Sequence, residues 1–180
     1  MPVELKDAAG RRLGPVSASM SGSDMFLTLQ TRRAGKVKGE AITAGHADDI
    51  EVRSMTWGVT AGSAIGSTQS TSRRQYRNLV VVKGIDSAST AMMSALVSND
   101  EVTQAKLTLR KAGGDALDYF TITLNQARIV QIDLAVDDQG HPTETVAIAF
   151  TKIDVEYKRQ QSSGISAGST SFNDEVVSSQ

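Results

Sequence analysis

Residues 49–60 read DIEVRSMTWGVT, and this stretch decides the fold. Side chains of an extended chain alternate with period two, so Ile50 and Val52 share one face. The apolar set then jumps to Met55, Trp57 and Val59, which fall on the other face. Such a slip means a bulge, or a strand that leaves one packing surface for another. Barrels and orthogonally packed sheets need corners of this kind. Residues 143–157, TETVAIAFTKIDVEY, slip in the same way: Val146, Ile148 and Phe150 give way to Ile153, Val155 and Tyr157.

Outward from these corners the segments are short and extended. MFLTLQT at 25–31 is a strand, and LVVV inside 76–84 suits a strand buried on both faces. Residues 101–111 and 117–125 form a hairpin about Gly113-Gly114-Asp115. Leu107 and Leu109 line one side of its first arm, opposite Lys106, Thr108 and Arg110. Phe120, Ile122 and Leu124 do the same on its second. A strand through Ile129, Ile132 and Val136 leads to the turn DDQGHP at 137–142. One helix is expected, with Asp86, Ser87 or Ser89 as N-cap and Ala88, Met92, Ala95 and Leu96 at i, i+4, i+7 and i+8. It ends near Asn99 after about three turns. Seven or eight strands and one short helix predict a mainly β fold: an antiparallel β-barrel of two sheets with an appended α-helix. The division expected is an arm at 1–23, a barrel domain at 24–159 and a Ser/Gly-rich segment at 160–180.

Composition narrows the function. The 180 residues carry 19 Lys and Arg against 20 Asp and Glu, a formal charge of −1, so no global basic field recruits nucleic acid or a membrane surface. Aromatics are 4%, so the core is aliphatic, with the single Trp57 as its aromatic anchor. Truncating a core-anchoring Trp57 to Ala is expected to cost about 3–5 kcal/mol. Cysteine is absent, which removes disulfides, thiolate nucleophiles and Cys-based metal sites. No apolar run approaches the roughly 20 residues of a membrane span. The opening MPVELKDAAGRRLGPV lacks the apolar centre of a secretory signal, so export is expected by a route other than a cleaved leader.

No catalytic constellation emerges. Gly164-Ile165-Ser166-Ala167-Gly168 matches the nucleophile-elbow pattern, but it lies in a Ser/Gly tract and no His follows it. His46 beside Asp48 and Asp49 lacks the further ligands a metal needs, and His141 belongs to a turn. Asp137 and Asp138 lack calcium-loop spacing. Glu101, Asp115, Asp118 and Glu144 are expected as solvated strand-end charges. No catalytic residue, cofactor or metal is therefore expected. The loop charges Arg32, Arg33 and Lys36 are instead expected to meet Asp48, Asp49, Asp137 or Asp138 of another copy, giving register between subunits.

Motifs in fixed order carry a family resemblance. They are Asp24-Met25-Phe26-Leu27, Lys38-Gly39-Glu40, the run His46 to Val52, and Trp57-Gly58-Val59. Lys83 follows, with Asp86, Ala88 and Ser89, then the run Ala105 to Gly114, Tyr119, the run Thr121 to Leu124, and Thr143-Glu144-Thr145-Val146. Over roughly residues 24–174 the chain resembles the Hcp family, the tube protein of bacterial type VI secretion. It departs in its longer N-terminal arm, in the extra length at Arg32-Arg33-Ala34-Gly35 and in a tail ending FNDEV.

The resemblance implies a non-enzymatic, tail-tube-like subunit that closes into hexameric rings. Rings would stack into a hollow tube, be expelled by sheath contraction and carry effector proteins in the lumen. Implied partners are further copies, the sheath, spike and baseplate proteins, and effectors, without nucleic acid or membrane insertion. The small-residue loop between Thr60 and Arg74, with Gly62, Ser63, Ile65, Gly66, Arg73 and Arg74, is implied to reach the neighbouring ring. Three alternatives remain at this level: a tail-tube protein of a phage or related contractile particle, a monomeric ligand-binding barrel, and an enzyme acting through His46.

Overall fold

The slip at 49–60 is a change of partner. In the computed structural model, which describes residues 24–61, 74–111, 117–160 and 166–176, that stretch is three short strands rather than one. The elements in chain order are β1 (Asp24–Thr31), β2 (Gly35–Val37), β3 (Ile50–Val52), β4 (Ser54–Thr56), β5 (Val59–Ala61) and β6 (Arg74–Tyr76). There follow β7 (Leu79–Lys83), α1 (Ala88–Val97), β8 (Val102–Arg110), β9 (Asp118–Val136), β10 (Pro142–Gln160) and β11 (Ser166–Glu175). β3 pairs with β1, placing Ile50 opposite Leu27, whereas β4 pairs with β7, placing Met55 opposite Val81. The corner is Arg53, whose N–H donates to the Val82 carbonyl at 2.8 Å.

The main sheet has nine antiparallel strands along the path β2-β1-β8-β9-β10-β7-β4, with β3 on β1 and β11 on β10. β3 and β4 lie at opposite ends of that path and are one continuous piece of chain. The bent segment therefore draws the two ends together into a nearly closed barrel, although no ladder joins β3 to β7 directly. The second slip is also a change of partner. β10 keeps β9 on one edge, but on the other it pairs with β7 over Glu144 to Ile148 and with β11 from Lys152 onward.

The expected strand about Ile129 to Val136 is not separate; it continues the 117–125 arm as the 19-residue β9. The interruption is a kink at Gln126, which takes φ 50°. The hydroxyl of Thr151 donates to the Gln126 side-chain oxygen at 3.0 Å there. The tail contributes an unexpected element, since 166–175 pairs with β10 (Phe172 opposite Val155). Its Ser and Gly content argues against a strand, but pairing to an already formed edge overrides a weak local preference. The tip of the 101–125 hairpin lies outside the described residues.

The core is aliphatic, as the aromatic count demands. Leu27, Leu29, Ile50, Leu79, Val81, Leu107, Ile122, Leu124, Val146 and Ile148 are fully covered or nearly so. Each such side chain contributes about 1.5–3 kcal/mol on burial. Met92 and Ala95 of α1 close the core from one side. The helix starts where the Asp86 side-chain oxygen accepts the Ala88 N–H at 3.0 Å. Ser87 occupies the N-cap position without a side-chain cap, and its hydroxyl donates to the Lys38 carbonyl at 3.0 Å. The end is set by Asn99 at φ 52°, with Asp100 N–H on the Ala95 carbonyl at 2.8 Å and Asn99 N–H on that of Leu96 at 3.1 Å. That is the paired 6→1 and 5→2 closure of a left-handed C-cap.

Candidate functional site

The basic residues of the first loop find acids in their own chain. Arg32 lies 2.6 Å from Glu101, Arg33 4.0 Å from Asp100, Lys36 3.0 Å from Asp49 and Lys38 3.6 Å from Asp48. Arg32, Arg33 and Lys38 keep most of their side chains in water, where such pairs contribute about 0–1 kcal/mol. Lys36 differs, because its partner Asp49 is buried. Asp137 folds its own turn: it accepts N–H bonds from His141 at 2.7 Å and from Gln139 at 2.9 Å. The His141 N–H bond is the main cause holding its carboxyl below the usual range. Asp138 is exposed in the same turn.

Asp49 and His46 form an internal brace. The His46 ring is buried and stacks on Phe26, centroids 4.2 Å apart and planes 6° from parallel. Nδ1 lies 3.0 Å from Asp49 and Nε2 3.2 Å from Asp118. Arg110 approaches Asp118 to 3.3 Å, an ion-pair distance without hydrogen-bond alignment, and donates to the Ala44 carbonyl at 2.7 Å. Both ring nitrogens are occupied by carboxylates, so this His ties loop 38–49 to the barrel wall. No group of three metal-binding side chains occurs among the described residues.

Glu144 is the clearest correction to the sequence reading. It is fully buried, not a solvated strand-end charge. Lys83, also fully buried, places its ammonium 2.8 Å from Glu144, 2.7 Å from Asp86 and 2.8 Å from the Gly84 carbonyl. The Ser89 hydroxyl donates to the same Glu144 oxygen at 2.7 Å. The network pins the start of α1 to β7 and β10. A period-two signal for it existed: Lys83 has the parity of Leu79 and Val81, and Glu144 that of Val146 and Ile148.

Trp57 sits at the margin of the core, half-buried, stacked on Tyr76 at 6.3 Å, with its indole N–H buried and unpartnered among the described residues. Tyr76 meets the edge of Phe150 at 6.0 Å and donates its hydroxyl to Asp174. Arg74 reaches the same carboxylate at 3.2 Å. Of the remaining stacking candidates, Gly62, Ser63, Ile65, Gly66 and Arg73 lie outside the described residues. Gly164 and Ile165 do too, while Ser166 opens β11, a strand and not the strand-to-helix turn an elbow requires.

The sheet carries apolar surface beyond the barrel at both ends. β8 leaves β9 at Ala127, and no strand among the described residues lies on that edge of β9 afterwards. Ile132 and Leu134 stand opposite Val146 and Glu144, on the core-facing side of the sheet, yet Leu134 is 54% exposed. At the other end the face of buried Ile153 runs on to Val155, Tyr157 and, across the ladder, Phe172, which is 46% exposed.

Residues 26–157 match the family described as type VI secretion system effector, Hcp. The chain belongs to the Hcp family. Its relatives include protein hcp1 of Pseudomonas aeruginosa strain PAO1, 30% identical over 151 residues, spanning 81% of this chain and 89% of that protein. The major exported protein of the same strain is 27% identical over 120 residues, 66% of this chain and 70% of that one. A solved type VI secretion system effector from Yersinia pestis superposes with a TM-score of 0.68 at 26% identity, over 85% of this chain and all 100% of that one. The family is a secreted, structural tube protein of type VI secretion, not an enzyme family.

Proposed function

We propose that this Hcp chain is an inner-tube subunit whose copies close into six-membered rings, and whose rings stack into a hollow tube. Sheath contraction would expel the tube, with effector proteins in its lumen and the spike and baseplate as further partners. One observation carries the ring: the core-facing side of the β9–β10 ladder continues past the barrel at both ends as two different apolar patches. A ring needs two complementary, non-identical surfaces on each subunit. The stripe through Ile132, Leu134 and Val136, beside an unpaired edge, and the patch of Tyr157 and Phe172 meet that requirement. An unpaired edge with an apolar face is also a liability unless another chain covers it. The number six and the cargo follow the family likeness.

Light scattering behind size exclusion tests the ring. The expected mass is six chains at micromolar protein, and Leu134→Asp is expected to shift it to the monomer with the fold retained. A monomeric wild type would overturn the reading and favour a ligand-binding barrel. Deletion of residues 61–72, the last residue of β5 and the segment that follows it, is expected to leave annuli in electron micrographs but to abolish tubes. Tubes persisting in that variant would refute its role in stacking.

A further inference from the structure

The β5–β6 hairpin is too small to hold itself. It forms a two-stranded sheet of its own with three residue pairs, Val59 with Tyr76, Thr60 with Gln75 and Ala61 with Arg74. Isolated two-stranded ribbons are marginal in water. Its base is closed by the Arg77 N–H on the Gly58 carbonyl at 2.9 Å. The Arg77 guanidinium lies so close over Gly58 that a Cβ there would meet it at 2.2 Å. None of this fixes the ribbon to the barrel.

The attachment comes from Tyr76 and from the far end of the chain. One face of the Tyr76 ring packs on Trp57 and its edge meets Phe150 of β10. The Tyr76 hydroxyl and the Arg74 guanidinium both reach Oδ2 of Asp174, on β11. The other oxygen of Asp174 accepts the Glu175 N–H at 2.9 Å, so both are occupied. The carboxylate is itself held in place. Asp174 stands opposite Ile153 in the β10–β11 ladder, and just beyond it the Val176 N–H closes on the Thr151 carbonyl at 2.6 Å. Burial and the bond to Asp174 raise the Tyr76 pKa, and that of Asp174 is lowered chiefly by the same bond.

We infer that Asp174 is a positioning residue for the β5–β6 hairpin, making the C-terminal strand β11 a strut that fixes the attitude of the hairpin joining Trp57 to Tyr76. The consequence for assembly rests on the proposed stacking role of the segment between β5 and β6; the strut itself does not. Asp174 lies beyond residues 26–157, the stretch that the family match covers.

The single Trp57 reports on it directly. In the full chain, Asp174→Asn is expected to shift Trp57 emission to the red, to raise its quenching by acrylamide, and to lose hydrogen-exchange protection at 59–61 and 74–76. Protection in β8 and β9 should stay unchanged. Tyr76→Phe keeps both ring contacts and removes only the hydroxyl, so it should reproduce these shifts even where Asp174→Asn folds poorly. Asp174→Glu should restore part of the protection, and Glu175→Gln on the exposed side should do nothing. A hairpin as protected in Asp174→Asn and Tyr76→Phe as in wild type overturns the strut. A loosened hairpin with lost tubes supports both the strut and the stacking role. A loosened hairpin with normal tubes supports the strut and refutes the stacking role.

Discussion

Removing the Lys83 ammonium should be far more damaging than removing the whole ion pair. Lys83 and Glu144 are both 0% exposed; the ammonium donates to Glu144, the Ser89 hydroxyl and the Gly84 carbonyl, and it lies 2.7 Å from the Asp86 carboxylate. In Lys83→Met, the fully buried Glu144 carboxylate loses its cation and is left beside a second carboxylate, Asp86. Leaving a buried charge uncompensated in this way costs about 3–5 kcal/mol. Glu144→Leu is milder, because Lys83 keeps Asp86, whose side chain is 12% exposed, and the Gly84 carbonyl. The expected loss is about 1–3 kcal/mol, that of one charged hydrogen-bond partner. The double variant removes both charges and fills the space with apolar groups, so it should lie within about 2 kcal/mol of wild type or above it. The coupling between the two positions should then exceed about 2 kcal/mol. Urea unfolding of the full chain, followed by far-UV circular dichroism, measures it at one fixed protein concentration, since assembly shifts apparent stability. Additive single losses in the double variant would show that the two charges do not act as a unit. A Lys83→Met loss below about 1 kcal/mol would show that the ammonium has no buried partner to strand.

Other perturbations follow from the same geometry. Trp57→Ala should cost about 2–3 kcal/mol in the same assay, below the roughly 3–5 kcal/mol of a fully enclosed aromatic, because the indole is half-buried on Tyr76. Gly39→Ala should cost at least about 1–3 kcal/mol and disorder loop 38–49, since its Cβ would stand 2.3 Å from the Asp49 carbonyl oxygen. Nuclear magnetic resonance shifts of the His46 ring would read the loop. The Tyr76–Asp174 bond should respond to pH at both extremes. Tyr76 has a raised pKa, so its contribution is full below about pH 10 and lost as pH climbs through the folded value. Asp174 has a lowered one, so its contribution is full above about pH 4 and lost as pH falls through the folded value. Trp57 emission should be flat between those limits and shift outside them; a shift centred near neutrality would contradict the assignment.

Much of the fold was legible because it follows period two. The slips at 49–60 and 143–157 mark two places where the chain changes partner, and MFLTLQT, LVVV and the helix stand where the pattern puts them. What was lost has physical causes. Gln126 breaks the alternation inside one strand, so β9 looked like two. β11 has little propensity of its own and exists because β10 offers an edge. Glu144 carries the parity of core residues, but its charge argues for solvent; it is buried because the equally buried Lys83 neutralises it. The intrachain partners of the loop charges, Glu101 for Arg32 and Asp49 for Lys36, depend on how the loop folds back and carry no sequence signal. Asp174 could not be connected to Tyr76 from sequence, because 98 residues separate them and only the β10–β11 register joins them.

The partner changes explain why this barrel leaves surface for assembly. A strand paired along its whole length on both edges would end where the core ends. Here β9 and β10 each run 19 residues: past Ala127 their ladder outruns β8, and from Lys152 onward β10 exchanges β7 for β11 on its other edge. The register shift between Ala147 and Ile148 moves the core-facing side of β9 from Ile129 to Ile132 and Leu134, and the slip in β10 moves it from Val146 and Ile148 to Ile153 and Val155, so the apolar face carries on in both directions. β11 extends one end and also holds Asp174, so the same strand that shapes an exposed apolar patch fixes the β5–β6 hairpin. Contacts around a ring and contacts between rings would thus share one structural member. Loosening β11 should then weaken both, whereas Leu134→Asp at the opposite end should weaken only the ring contact while Trp57 emission stays where it is in the wild type.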